Sequence, residues 1–278
     1  MDIYKNNIYN LLNLFLINDI TELIFEYIFD FNNVKLISEY NFEKSNFLKN
    51  NFQIIKHDNK IYLYFYGLNT LHIYDEIEKY TNKFEIFNDN IATICNIDDD
   101  IYIATTKSIY LYNYKKKMIK HICNIDFEIE EIFGYKNYLL YSNFGSQIIL
   151  KNLLNEETNL INFKYKYFQD CLYLFNNSLY IYKSSKKEIN VINIFDNLIE
   201  KKYEIEIDDF MKFRPRMYVN GLYIYIKLQN AIYVYNKRGK NIGKIAIDGV
   251  VNCGFTIDFD KIYLSKNNTL LIYQQYVE

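Results

Sequence analysis

Lys212, Arg214 and Arg216 occupy alternate positions in "KFRPRMY", residues 212–218. On a strand, a period of two places three such side chains on one face. The stretch holds the only proline and two of the three arginines in a chain of 278 residues. A guanidinium presents a planar fork that matches carboxylate or phosphate, so paired forks suit an acidic or phosphorylated peptide. The same residues also suit a structural role, paired with nearby carboxylates such as Asp208 or Asp209. Further cationic side chains, Lys183, Lys186 and Lys187, fall in "YKSSKKE", a turn expected at the same end of the molecule. Lys227 and Lys266 belong to equivalent turns, whereas Asp75, Glu76, Asp98 to Asp100, Glu156, Glu157 and Asp258 gather at the opposite end. The expectation is one basic and one acidic face.

Other chemistry is sparse. His57, His72 and His121 fall on an inner, a third and an outer strand, so they cannot converge on one metal. Cys95, Cys171 and Cys253 fall on inner strands, where small apolar residues pack near an axis, and Cys123 stands apart from them. Asp98-Asp99-Asp100 and Asp258-x-Asp260 mark turns between first and second strands, and Asx residues favour turns. No G-x-S-x-G, HExxH or P-loop occurs. The expectation is no metal, no cofactor, and no convergence of three His, Cys or carboxylate side chains.

Composition narrows the classes further. Half the residues are hydrophobic and 24% are charged, which describes a globular chain. Thirty Tyr and 21 Phe beside no Trp and one Pro reflect AT-rich codons, pointing to an AT-rich genome of protist or viral type. A net charge of -2 gives no general attraction to nucleic acid or to a membrane surface. Four cysteines without a CxxC pair suit a reducing, cytoplasmic setting. No basic leader precedes a cleavage site, and the apolar stretch 8–31 carries too many polar groups to span a bilayer.

The elements that must carry these side chains repeat. "NKIYLYFYGLNTLHIYD" starts at Asn59, "DDIYIATTKSIYLYN" at Asp99, "KNYLLYSNFGSQIILKN" at Lys136, and "NSLYIYKSSKKEINVINIFD" at Asn177. "NGLYIYIKLQNAIYVYN" follows at Asn220 and "DKIYLSKNNTLLIYQ" at Asp260. Aligned on the second residue of the first apolar run, they give Tyr62, Tyr102, Leu139, Tyr180, Tyr223 and Tyr263, about 40 residues apart. The runs are short, β-branched and aromatic, and polar turns bound them, so they are strands. Runs apolar at consecutive positions imply sheets covered on both faces. In Ile101-Tyr102-Ile103 the outer residues should face one neighbouring sheet and the middle residue the other.

This pattern resembles the β-propeller superfamily, broadly the WD-repeat, kelch and quinoprotein-type blades, over residues 32–278. The resemblance implies an all-β, six-bladed β-propeller of four-stranded blades. The blades are expected at 52–88, 91–125, 128–165, 167–205, 208–248 and 250–278. Residues 33–42 should supply the fourth strand of the last blade and so close the ring.

Residues 1–31 are expected to form a short helical extension. Asp19 and Glu22 make a capping pattern, and Ile20, Leu23, Ile24, Tyr27 and Ile28 share an apolar face. "INDITELIFEYI" resembles the opening helix of an F-box, with Asn18 where that family has proline. This second resemblance implies an adaptor for a ubiquitin-ligase subunit. The functional expectation is a non-enzymatic protein-binding scaffold using one loop face. The alternatives are the ligase adaptor and a hydrolase or lactonase-type enzyme working in the axial channel.

Overall fold

The computed structural model describes residues 29–41, 52–65, 69–78, 80–85, 89–113, 115–143, 147–161, 163, 170–205, 207, 214–228, 230–247, 254–258, 261–266 and 269–277. The proposed helical extension, with Ile20, Leu23, Ile24, Tyr27 and Ile28, lies outside them. So do Lys212, Asp208, Asp209 and Cys253.

Among the described residues, twenty-four strands form six four-stranded antiparallel sheets. Blade 1 holds β2 (Phe52–His57), β3 (Lys60–Phe65), β4 (Thr70–Asp75) and β5 (Tyr80–Glu85). Blade 2 holds β6 (Ile91–Ile97), β7 (Asp100–Thr105), β8 (Ser108–Asn113) and β9 (Met118–Asn124). Blade 3 comprises β10 (Ile129–Tyr135), β11 (Tyr138–Asn143), β12 (Ile148–Asn152) and β13 (Thr158–Ile161). Blade 4 comprises β14 (Cys171–Phe175), β15 (Ser178–Lys183), β16 (Glu188–Asn193) and β17 (Ile199–Glu204). Blade 5 is β18 (Arg216–Val219), β19 (Tyr223–Lys227), β20 (Ala231–Asn236) and β21 (Asn241–Ala246). Blade 6 is β22 (Phe255–Asp258), β23 (Lys261–Lys266), β24 (Thr269–Val277) and, from the other end of the chain, β1 (Phe29–Asn41). The inner strands β2, β6, β10, β14, β18 and β22 contact one another in sequence, and β22 returns to β2. The chain is a closed six-bladed propeller.

Closure is antiparallel, with Leu36 opposite Tyr273, Glu39 opposite Leu271 and Tyr40 opposite Leu270. Pairing the first strand with the last removes the weak seam that an open ring would present. β1 starts earlier than expected: Phe29, opposite Val277, belongs to the strand and not to a separate extension.

The apolar runs pack as their pattern requires. Ile101 and Ile103 join a buried cluster with Tyr62, Tyr64 and Ile73 of blade 1. Tyr102, between them, packs with Ile129, Ile132 and Tyr141 of blade 3. Ile61 and Leu63 likewise face Tyr263 and Ile272 across the closure. Burying such large side chains on both faces is the main stabilisation between blades, about 1.5–3 kcal/mol for each aliphatic side chain.

Turn register corrects the alignment of the repeats at two places. Counting from the hairpin turn, the residue equivalent to Tyr62 is Leu140 in blade 3 and Tyr225 in blade 5, not Leu139 and Tyr223. Blade 3 lacks the tyrosine marker. Blade 5 repeats Tyr-Ile-Tyr-Ile, so the apolar pattern alone fits two registers. Only the turn positions separate them.

Candidate functional site

Each inner strand begins at the end where the second and third strands connect, here called the upper end. Arg214 lies two residues before β18, and Arg216 opens it. Their partners come from β10, two blades away. Arg214 Nη1 contacts Glu130 Oε1, and its Nη2 lies 3.2 Å from Glu131 Oε1. Its Nε donates to the Asp170 carbonyl at 3.1 Å, just before β14. Arg216 Nη1 donates to the same Glu131 oxygen at 3.3 Å. Blades 3 and 5 are therefore tied together past the inner strand of blade 4.

A local irregularity makes this possible. Consecutive strand residues normally point to opposite faces, but the β10–β11 register shifts between Ile129 and Glu131. A bulge there re-aims one side chain, so both Glu130 and Glu131 reach the same guanidinium.

The cluster is dry. Side-chain exposure is 3% for Glu130, and 10% for both Glu131 and Arg214, rising to 33% for Arg216. Burial pushes the Glu131 carboxyl up to about 7, with Arg216 acting in the opposite direction. Burial also lowers the Arg214 pKa, with Arg216 adding to the effect. A guanidinium starts so high that Arg214 remains the cation of the pair. Tyr64 of blade 1, hydrogen-bonded to Thr93 of blade 2, is held well above the ordinary phenol range by burial. Arg216 and Glu131 also bear on the Tyr64 hydroxyl, so the arginines sit where blades 1, 3 and 5 approach the axis.

Arg214 is thus an internal tie and not an open fork, the structural role that its residue type also allowed, while Arg216 is one-third exposed. Its partners are Glu130 and Glu131. The doublet "EE" at the head of an apolar inner strand was the available signal: two carboxylates carried inward require a countercharge.

The turn carrying Lys183, Lys186 and Lys187 lies beside this cluster, because Ser184 N donates to Asp170 Oδ1 at 3.2 Å. Lys186 and Lys187 are exposed, while Lys183 is half-buried with its ammonium 4.2 Å from the Phe163 ring centroid. Lys227 is no part of a basic face, since it is buried and its ammonium donates to the Leu228 carbonyl.

At the lower end Asp75, Glu76, Asp99 and Asp258, four of the eight acidic residues expected there, have cationic partners. Lys56 Nζ bridges Glu76 Oε2 at 2.9 Å and Asp258 Oδ2 at 3.6 Å, linking blades 1 and 6. Tyr263 donates to Glu76 Oε1 at 2.9 Å across the same closure. Lys60 pairs with Asp75 and Lys115 with Asp99. Between blades 1 and 2, His57, Asp58 and Asp99 bring one ligand atom each within 4.8 Å of one another. That corrects the expectation that no such trio would form. His57 does not need a second histidine when two turns deliver carboxylates to it.

Cys95, Cys123 and Cys171 are free thiols, and burial raises the pKa of each. Such thiols are poor nucleophiles.

Fold and charge layout together define a six-bladed β-propeller with a buried ion-pair tie at its upper end. No family model matches the chain, and no curated protein matches it. Among solved structures it is similar to the computationally designed Ika8 protein, at 7% identity and a TM-score of 0.53, over 80% of this chain and 70% of that one. It is also similar to apo AztD from Citrobacter koseri, at 13% identity and a TM-score of 0.50, over 71% of this chain and 72% of that one. A second AztD structure from the same organism aligns at 14% identity and a TM-score of 0.50, covering 71% of each chain. Identities this low show the fold alone.

Proposed function

We propose that the chain is a non-enzymatic protein-binding scaffold whose upper face takes an acidic or phosphorylated peptide. The supporting observation is the division of labour among the basic groups there. Arg214 is spent on Glu130 and Glu131, whereas Arg216 is one-third exposed and Lys186 and Lys187 are exposed. A rigid rim carrying exposed cations suits recognition of acidic side chains or phosphate. The hydrolase alternative would draw on Glu131, a carboxyl titrating near neutrality. Against it, both guanidinium groups converge on one Glu131 oxygen, an arrangement suited to holding blades together.

The test is a fluorescence-anisotropy titration with acidic and phosphorylated peptide libraries, comparing wild type with the double variant Lys186→Glu/Lys187→Glu. The expected result is saturable, salt-sensitive binding that the variant loses with its melting temperature unchanged. Equal binding by both proteins would remove this face from consideration.

A further inference from the structure

We propose that His57, Asp58 and Asp99 form a site for a divalent first-row transition ion, with Zn²⁺ the best fit, at the lower end between blades 1 and 2. The site is distinct from the peptide-binding face and does not depend on it. His57 ends β2, Asp58 is the next residue in the turn, and Asp99 comes from the corresponding turn of blade 2. An ion held there would cross-link two blades.

The spacing is the first argument. His57 Nε2 lies 3.4 Å from Asp99 Oδ1 and 3.7 Å from Asp58 Oδ2. These separations are long for hydrogen bonds. They match the edge of a tetrahedron, about 3.4 Å when each ligand sits about 2.1 Å from Zn²⁺. His57 Nε2 is itself shielded from solvent and has no hydrogen-bond partner among the described residues. A buried imidazole nitrogen facing two carboxylate oxygens is a ligand set suited to a divalent cation.

The surrounding groups orient that set. The Asn96 amide contacts His57 Nδ1 at 3.3 Å. Rotating that amide by half a turn presents its oxygen, which would accept from Nδ1–H and leave Nε2 free to ligate. Lys115 holds Asp99 Oδ2, so that the other oxygen, Oδ1, turns toward His57. Asp58 is 73% exposed and can swing inward to complete the third edge, leaving a fourth position for water. An imidazole with two carboxylates favours Zn²⁺ over Ca²⁺ or Mg²⁺, which prefer all-oxygen shells.

The experiment uses the full chain, stripped with chelator and dialysed. Calorimetric titration with Zn²⁺ and visible absorption on adding Co²⁺ give stoichiometry and geometry independently. The expected result is one equivalent bound, a tetrahedral Co²⁺ band, and no saturable heat with Ca²⁺. Asp99→Asn and His57→Gln should each weaken binding by about tenfold or more, in the range of lost metal-site contacts. Asp58→Asn, altering an exposed side chain, provides the same readout should either of those variants fail to fold. No saturable binding by wild type, or wild-type affinity in the folded variants, would overturn the proposal.

Discussion

The buried cluster at the upper end and the exposed Asp99–Lys115 pair at the lower end handle charge in opposite ways. At the upper end Arg214, Glu130 and Glu131 are removed from water and compensate one another across three blades. At the lower end exposure is mixed: Asp99 is 57%, Lys115 77% and Asp258 53% exposed, whereas Lys56 with Glu76 and Lys60 with Asp75 are largely buried. Attraction at the upper end is strong because the medium is poor in water, and so is the penalty for an unmatched charge. Around the exposed Asp99–Lys115 pair water screens both. The upper cluster is therefore a point where the ring fails as a unit, and the exposed Asp99–Lys115 pair tolerates change.

That contrast can be broken most directly at Arg214. Arg214→Met leaves two buried carboxylates without their main countercharge and should cost about 3–5 kcal/mol in chemical denaturation. A loss below about 1 kcal/mol would mean that the cluster is as well screened as the exposed Asp99–Lys115 pair. Replacing Arg214, Glu130 and Glu131 together by apolar residues of similar volume should recover much of the loss, because no unpaired charge remains.

A smaller effect concerns pH. The folded-state value for Glu131, about 7, stands above the ordinary 4.5, so the folded protein binds this proton more tightly than the unfolded chain does. Its contribution is fully present below about pH 4.5 and is lost as pH rises to about 7, on the order of 3 kcal/mol at most. Melting temperatures of wild type should fall across that window relative to Glu131→Gln, which has no proton to lose. Parallel curves for the two proteins would show that Glu131 stays ionised on Arg214 and Arg216 throughout. The smallest effect belongs to the lower end, where Lys115→Ala in metal-free protein should leave the melting temperature essentially unmoved. A clear drop there would mean that the exposed pair bears a structural load.

Much of the architecture was legible in the chain because its signal is local and repeated. The runs around Tyr62, Tyr102, Tyr180 and Tyr263, with polar turns between them, specify short strands buried on both faces wherever they occur. The closing strand was legible too, since "NNVKLISEYNF" matches the outer strands of other blades in pattern. Register failed where the marker was missing or doubled, at Leu139 and Tyr223. The upper cluster was half legible. Two scarce arginines at period two announced a charged site, yet their partners lie more than eighty positions earlier in sequence, at Glu130 and Glu131.

Sequence by itself determined the blade, its repeat and the need for a cover on each face, because hydrophobic periodicity acts within a few residues. Tertiary structure alone decided which charges meet. A bulge in β10 turns two glutamates toward one guanidinium, and the closed ring brings blade 3 to blade 5 and the turn of blade 2 to His57. Coulomb pairing depends on distance in space, and a ring sets those distances only when its last strand has paired with its first.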